Sequence, residues 1–287
     1  MKQGMGNAFA TMAAGGLQPL VEVFEEAFGR GAASPSAVCV GVAALSEWMP
    51  WSAQAQRLLD AADRQRISRK LREQDRGALV LAYALHRLFL ARVLQLEPGE
   101  VPLRRDDAGR PCLGAMPGCT SLSHSGDAVA FAYSPLGVVG IDIEPRERST
   151  GMADIAERVC HPDEYAALPA AAALRNEALL ATWVRKEAFL KAAGVGLACE
   201  MDTFSAPEQV VLHTGAAGIS DGTWVRLQAF GTDPDSILAI AAPPELKVDA
   251  RCLTPRRANT HHALHASSAR TDPFDPARPA MAGKALA

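Results

Sequence analysis

Two short segments of the chain carry charged side chains at spacings that suit phosphate chemistry. The first, Gly140-Ile141-Asp142-Ile143-Glu144, places two carboxylates two residues apart among apolar neighbours. In a β-strand, residues i and i+2 point to the same face, so Asp142 and Glu144 would lie side by side. Two like charges at the end of a buried strand are costly unless a cation joins them. The alternative is a strand that runs out into solvent with both acids exposed.

The second segment, Trp183-Val184-Arg185-Lys186-Glu187-Ala188-Phe189-Leu190-Lys191, has the spacing of a helix face. Trp183, Glu187 and Lys191 are four residues apart and would lie along one stripe. The tryptophan indicates that this stripe is buried, and a buried Glu–Lys pair suggests a function. The alternative is a surface ion pair whose lysine complements the helix dipole.

The elements that would position these segments mix helices and strands without regular βαβ alternation. This pattern predicts an α+β fold rather than a doubly wound sheet. Asp60 is a candidate N-cap, and Gly194 and Gly196 would end the long helix. Helical patterns cover residues 20–28, 61–73, 79–90 and 172–193, and strand patterns cover residues 37–43, 121–124, 128–133, 137–143, 223–230 and 236–241.

The chain divides most naturally at the turn Ser134-Pro135-Leu136-Gly137. We predict an N-terminal segment of uncertain structure (1–36), an N-terminal half (37–134), and a C-terminal half that carries the acidic pair and the metal site (135–250). Residues 251–287 are rich in Ala, Arg, Pro and His, a composition that predicts a disordered tail.

Composition narrows the class of protein. A net charge of −3 gives no electrostatic case for nucleic acid binding. Six cysteines without CxxC spacing suggest reduced thiols. The N-terminus lacks the pattern of a signal peptide, and we expect no apolar run long enough to span a bilayer. We therefore expect a soluble cytoplasmic protein that does not bind membranes.

Together, the two charged segments resemble the signature of the 4′-phosphopantetheinyl transferases. That signature is a Gly-[Ile/Val]-Asp-x-Glu strand followed by a Trp-x-x-Lys-Glu-[Ala/Ser]-x-x-Lys helix. Three more segments are similar to family motifs: Gly109-Arg110-Pro111, Ser121-Leu122-Ser123-His124-Ser125 and Gly194-Val195-Gly196-Leu197. The resemblance covers residues 37–241 and favours the longer Sfp-type subclass. Ser121 stands where the family usually has Asn, and the basic stretch around Arg64 and Arg66 aligns only loosely.

The resemblance implies a fold and an activity. The fold would be a monomer of two similar α+β halves in a pseudo-twofold arrangement, each a small, mostly antiparallel sheet with a long packed helix. The active site would lie at their junction near Pro135. The reaction would transfer 4′-phosphopantetheine from coenzyme A to a serine hydroxyl of an apo acyl or peptidyl carrier protein, with release of adenosine 3′,5′-bisphosphate. Fatty-acid, polyketide and nonribosomal peptide carriers all stay open.

The resemblance also implies roles for individual residues. Asp142, Glu144 and Glu187 would hold Mg²⁺, which prefers oxygen ligands and usually combines a few carboxylates with substrate phosphates. Glu187 would also accept the serine proton, directly or through a metal-bound water. Lys191 would stabilise the leaving phosphate oxygens.

Five residues are candidates for binding the donor. Ser123 and His124 would bind its 3′-phosphate, although a lone strand histidine can also be a hydrogen-bonded structural residue. Arg110 would lie near the nucleotide, and Arg66 is a phosphate candidate. Lys186 would either touch phosphate or be an ordinary solvated lysine.

Two other functions compete with this interpretation. A Mg²⁺-dependent phosphohydrolase would account for the acids and the lysine, but not for the SLSHS and GRP segments. A non-catalytic module that docks carrier proteins would have no need of the intact set Asp142, Glu144, Glu187 and Lys191.

Overall fold

A computed structural model describes residues 18–29, 36–106, 109–232 and 235–255. The predicted disorder from residue 256 onward, and most of the uncertain N-terminal segment, lie outside the described residues. The helices are α1 (Leu20–Phe28), α2 (Leu45–Trp48), α3 (Ser52–Leu58), α4 (Ala61–Ser68), α5 (Glu73–Leu94), α6 (Ala156–Val159), α7 (Pro162–Ala166) and α8 (Ala172–Ala193). Short 3₁₀ segments span Met49–Trp51, Arg146–Ile155, Gly196–Ala198, Met201–Thr203 and Thr214–Ala217.

The strands form two four-stranded sheets and one short hairpin. They are β1 (Ala37–Ala44), β2 (Arg104–Arg105), β3 (Pro111–Cys112), β4 (Cys119–Ser125), β5 (Ala128–Ser134), β6 (Gly140–Pro145), β7 (Val211–His213), β8 (Trp224–Thr232), β9 (Ser236–Ala242) and β10 (Lys247–Cys252). The first sheet has the order β10-β1-β5-β4, the second β6-β9-β8-β7, and β2 pairs with β3. All pairings are antiparallel except β1 with β10. The predicted α+β class is confirmed.

The two sheets share an apolar layer, and each buries its other face under one long helix. Alternate strand residues such as Val38, Val40, Ile141 and Ile143 form the layer between the sheets, as the two-residue period of a strand requires. Helix α5 packs in the core outside the first sheet and α8 in the core outside the second. The result is two α+β halves with 22-residue helices.

Gly140 lets α8 lie directly against β6. A Cβ atom at this position would collide with the helix backbone at Ala188 and Ala192. A glycine is therefore needed where the helix that carries Glu187 approaches the strand that carries Asp142. The close approach explains why the strand motif begins with glycine.

Helix α5 corrects one expectation about apolar length. By length and composition it could cross a membrane, with a mean hydropathy of 1.5 over 18 residues. In the structure, 72% of that window is buried inside the protein, because the helix is the centre of the first core. The expectation that no apolar run reaches this length is therefore wrong.

The structure also shifts several predicted boundaries. Asp60 caps α4 by accepting from the Asp63 N–H, as predicted, but α4 ends at Ser68 rather than near residue 73. Strand β10 was not predicted, and it returns to the first sheet from the C-terminal half. The carbonyl of the fully buried Leu253 accepts from the Trp48 indole. Residues 251–253 are thus built into the fold, and the predicted start of the tail at 251 is too early.

Candidate active site

A pocket of about 270 Å³ opens where β4 of the first sheet, β6 of the second sheet and α8 meet. The predicted strand and helix motifs therefore come together in space, at the junction of the two halves. The pocket is lined by Leu122, Ser123, His124, Asp142, Glu144, Trp183, Glu187 and Lys191.

Three serines on one face of β4 reach across to β6. Ser121 Oγ accepts a hydrogen bond from the Ile141 N–H at 3.2 Å, and Ser123 Oγ donates to Asp142 Oδ1 at 2.7 Å. Ser125 Oγ donates to Glu144 Oε2. Ser121, at the position where asparagine was expected, thus bonds to the main chain of β6. The serines hold the two acidic residues in place.

Asp142 is the centre of the site. Its carboxylate is almost fully buried, and Oδ1 accepts from Ser123 and, at 2.6 Å, from Lys191 Nζ. Within the part of the chain that the structure describes, Oδ2 has no hydrogen-bond partner. With Asp142 and Glu144 only 4% and 6% exposed, the alternative of two acids pointing into solvent is wrong.

Lys191 bridges the helix to the strand. Its Nζ donates to the carbonyl of Ile141 at 3.1 Å as well as to Asp142. An ammonium group has three N–H donors, so these contacts leave one donor for a substrate oxygen. Lys191 therefore pairs with the acidic strand within the second half, and the alternative of a surface Glu–Lys pair does not describe it.

Glu144 is held from two sides. Ser125 donates to one oxygen and Arg148 pairs with the other. Burial raises the pKa of Glu144, Asp142 raises it further, and the Ser125 hydrogen bond and the Arg148 charge lower it. The sequence interpretation missed Arg148. The available signal was its position four residues after Glu144, within reach of an acidic side chain.

Glu187 has the most perturbed carboxyl group of the pocket. Its pKa is raised from 4.5 to about 7, first by burial and then by the negative charge of Asp142, while Lys191 opposes the shift. A base with a pKa near neutrality suits proton abstraction at physiological pH. The cost of charging this group also indicates that a cation would be favourable beside it.

The residues present fit Mg²⁺ held partly by a substrate. Asp142, Glu144 and Glu187 offer hard oxygen donors, and the unpartnered Oδ2 of Asp142 offers a coordination position. The described ranges contain no group of three His, Cys, Asp or Glu side chains already arranged as a metal site. Ser123 and Lys191 bond to Oδ1 of Asp142, and Ser125 and Arg148 take the two oxygens of Glu144. Mg²⁺ in proteins usually has few protein ligands and takes several of its oxygen ligands from the substrate.

His124 and Ser123 have different surroundings. His124 is exposed at the pocket, and partial desolvation together with the charges of Lys191 and Lys70 lowers its pKa. The same positive charges favour an anionic ligand. The Ser123 hydroxyl points to Asp142 instead, so Ser123 positions a carboxylate, and its predicted contact with donor phosphate would require breaking that bond.

The turn before β3 gathers the two predicted arginines. Arg66 Nη2 donates to the Asp106 carbonyl at 3.3 Å, and its guanidinium lies over Gly109, where a Cβ would be only 2.8 Å from Nη1. Arg110 lies against Gly194, the C-terminal cap of α8, where a Cβ would collide with its guanidinium. The structure thus places Arg110 at the C-terminal end of α8 and Arg66 at the adjoining turn, and neither arginine is among the residues that line the pocket.

Lys186 is not in the pocket. It is fully buried, and Nζ donates to the carbonyls of Val159, Met201 and Phe204 and pairs with Glu164 at 2.6 Å. One residue along a helix is a rotation of about 100°, so the neighbour of Glu187 faces the second core. Both predicted roles of Lys186, phosphate contact and solvated lysine, are therefore wrong.

Comparisons with known proteins match both halves of the chain. Residues 138–230 match the model of the 4′-phosphopantetheinyl transferase superfamily. Residues 46–136 match the model of the 4′-phosphopantetheinyl transferase N-terminal domain. The two matches cover both sides of the pocket, since β4 lies in one range and β6 with α8 in the other.

Individual relatives carry consistent names. A phosphopantetheinyl transferase of Thraustochytrium sp. is 30% identical over 181 residues, which are 57% of this chain and 63% of that protein. A 4′-phosphopantetheinyl transferase of Bacillus subtilis is 30% identical over 51% of this chain and 65% of its own length. The Sfp protein of B. subtilis strain 168, also named a 4′-phosphopantetheinyl transferase, is 29% identical over 65% and 83%. The first two matches thus span just under two thirds of each relative.

Proposed function

Since this chain belongs to the 4′-phosphopantetheinyl transferase superfamily, we propose that it transfers 4′-phosphopantetheine from coenzyme A to a serine hydroxyl of an apo acyl or peptidyl carrier protein. The proposal includes dependence on Mg²⁺, a cytoplasmic location and action as a monomer. The observation that carries it is the pocket between the halves, in which Asp142, Glu144, Glu187 and Lys191 meet His124.

The reaction is a displacement at phosphorus. The carrier serine oxygen forms a new bond to the phosphorus that bears the pantetheine arm, and the bond from that phosphorus to the bridging oxygen of the pyrophosphate breaks. Adenosine 3′,5′-bisphosphate leaves with the bridging oxygen, and the serine proton passes to a base of the protein. Little covalent chemistry falls to the protein, so positioning and charge stabilisation supply most of the rate.

Glu187 is the base in this proposal. Its pKa of about 7 means that it can hold and release a proton near neutral pH, and general-base help of this kind contributes roughly 10²–10⁴-fold. Asp142, Glu144 and Glu187 would hold Mg²⁺, which when bound compensates charge on the pyrophosphate. Glu187 would therefore serve both as a ligand of the cation and as the acceptor of the serine proton.

Lys191 stabilises the leaving group. Its contacts with Asp142 and the Ile141 carbonyl fix the ammonium at the wall of the pocket, which leaves one N–H for a phosphate oxygen. A fixed donor of this kind stabilises developing negative charge without reorganising during the reaction. His124, Arg66 and Arg110 bind the 3′-phosphate and nucleotide of the donor. The support is that His124 lines the pocket, Arg110 lies at the end of α8, and Arg66 lies over Gly109, next to Arg110 in the chain.

The direct test is mass spectrometry of an apo carrier protein incubated with the chain, coenzyme A and Mg²⁺. We expect the carrier to gain the mass of one phosphopantetheine group, and the gain to disappear with a chelator or in Glu187→Gln. Glu177→Gln is the matched control, because Glu177 is an exposed residue of the same helix.

The outcomes separate the competing functions. Consumption of coenzyme A without a change in carrier mass would show a phosphohydrolase instead. Binding of coenzyme A or carrier in calorimetry, with no turnover across a panel of fatty-acid, polyketide and peptide carriers, would show a non-catalytic module. Either result would overturn the proposal.

A further inference from the structure

Arg148 is a charged residue beside the pocket that neither family motif contains. It lies in the 3₁₀ segment that follows β6, and its guanidinium pairs with Glu144 Oε1. It also lies over the ring of Trp183, with Cζ 5.3 Å from the ring centroid. Both contact residues line the pocket, so Arg148 connects the acidic strand to the helix face opposite.

Arg148 and a divalent cation would compete for the same carboxylate. Ser125 holds one oxygen of Glu144, so the oxygen paired with Arg148 is the one that a cation would have to share or take. The Arg148 side chain is 45% exposed, and ion pairs with one exposed member are weak and exchange readily. A cation bound through Asp142 and Glu144 would therefore release the guanidinium at small cost.

A released Arg148 stays close to the reacting groups. The ring of Trp183 holds the guanidinium at the mouth of the pocket through a cation–π contact. The positive charge of Arg148 acts on both Glu144 and Glu187, where it opposes the rise in the pKa of each carboxyl group. A planar guanidinium with several N–H donors binds phosphate oxygens well.

We propose that Arg148 is a donor-binding residue that alternates between two partners: it holds Glu144 before the divalent cation binds, and it binds the coenzyme A pyrophosphate afterwards. This inference rests on the proposed function. It predicts opposite effects on two affinities, since loss of Arg148 removes a competitor of the cation and also removes a contact of the donor. Loss of a purely structural residue would weaken the affinity for the cation and the affinity for the donor alike.

The test measures Mn²⁺ binding to the whole chain by electron paramagnetic resonance, without coenzyme A or carrier. We expect Arg148→Gln to bind Mn²⁺ about two- to fivefold more tightly than the wild type, the range for losing one exposed ion pair. We expect the same variant to raise the KM for coenzyme A about tenfold, as for a lost hydrogen bond to a charged group. Arg148→Lys keeps the charge but lacks the planar guanidinium. Its Mn²⁺ affinity and its KM for coenzyme A should both lie between those of the wild type and Arg148→Gln.

Arg146→Gln is the matched control. Arg146 begins the same 3₁₀ segment, and its guanidinium pairs with Asp235 at 2.8 Å, whereas Arg148 pairs with the pocket residue Glu144. It removes the same charge two residues away, and we expect both affinities to stay close to those of the wild type.

Each outcome bears on a different claim. If Arg148→Gln and Arg146→Gln bind Mn²⁺ more tightly to the same extent, the change in net charge alone explains the effect, and the inference is overturned. Weaker Mn²⁺ binding in Arg148→Gln, or an unchanged KM, would overturn it as well, while carrier modification by the wild type would still uphold the proposed function. A wild type that binds no Mn²⁺ would overturn the cation site itself, and this inference with it.

Discussion

Replacement of Glu187 by glutamine should stabilise the protein while it abolishes transfer. The carboxyl group is half-buried beside Asp142 and Glu144, and burial and repulsion raise its pKa from 4.5 to about 7. Between these two pH values the folded protein binds more protons at this group than the unfolded chain does. Its contribution to stability is therefore fully present below about pH 4.5 and is lost as the pH rises through about 7.

The size of the effect follows from the shift. Each pKa unit is worth about 1.4 kcal/mol, so the whole shift from 4.5 to about 7 corresponds to at most about 3.5 kcal/mol. Solvent screening of a half-buried group reduces this to about 1–3 kcal/mol. Glutamine has nearly the same shape and no charge to desolvate. The variant should match the wild type near pH 4.5 and exceed its unfolding free energy by about 1–3 kcal/mol at pH 8.

The assay is urea unfolding at pH 4.5, 6 and 8 in the presence of chelator, followed by circular dichroism. Glu177→Gln on the same helix is exposed and should leave the pH dependence unchanged. Addition of Mg²⁺ and coenzyme A at pH 8 should reverse the order, because the wild type gains more from ligand binding than the variant. An equal difference at all three pH values, or a variant less stable at pH 8, would refute the assigned environment of Glu187.

Three further substitutions test other parts of the site. His124→Ala should raise the KM for coenzyme A about tenfold with little change in kcat, because it removes a charge-assisted hydrogen bond; steady-state kinetics check this, and an unchanged KM contradicts it. Lys186→Met should lower the unfolding free energy by about 3–5 kcal/mol, since it leaves Glu164 without its buried partner. Urea unfolding measures this loss, and the double variant Lys186→Met/Glu164→Gln should recover part of it. Gly140→Ala should destabilise the protein by at least about 1–3 kcal/mol and reduce transfer, because the new methyl group displaces the helix that carries Glu187. Gly151→Ala, where the space is open, should change neither the unfolding free energy nor the transfer rate appreciably.

Local patterns determined most of the fold class and the chemical core of the site. The long helix Ala172–Ala193 and its glycine cap follow from an apolar period and from one residue in the left-handed conformation. Asp142 and Glu144 share a strand face, and Glu187 and Lys191 share a helix face, because these relations depend only on backbone geometry within one element. The sequence could therefore predict which groups act together within each segment.

Tertiary structure decided everything that depends on contacts between distant segments. The helix period places Lys186 on a different face from Glu187, but only the hydrogen bonds from Lys186 to the carbonyls of Val159, Met201 and Phe204 show that this face is buried in the second core. Strand β10 joins β1 across more than two hundred residues, and no local pattern encodes that pairing. The bonds of Ser123 to Asp142 and of Arg148 to Glu144 decide which oxygens remain for a ligand. The first bond joins strands of the two sheets, and the second joins residues four apart whose side chains meet only because the 3₁₀ segment after β6 turns back toward the strand. The sequence therefore determined the reacting groups, and the tertiary structure decided how those groups are held.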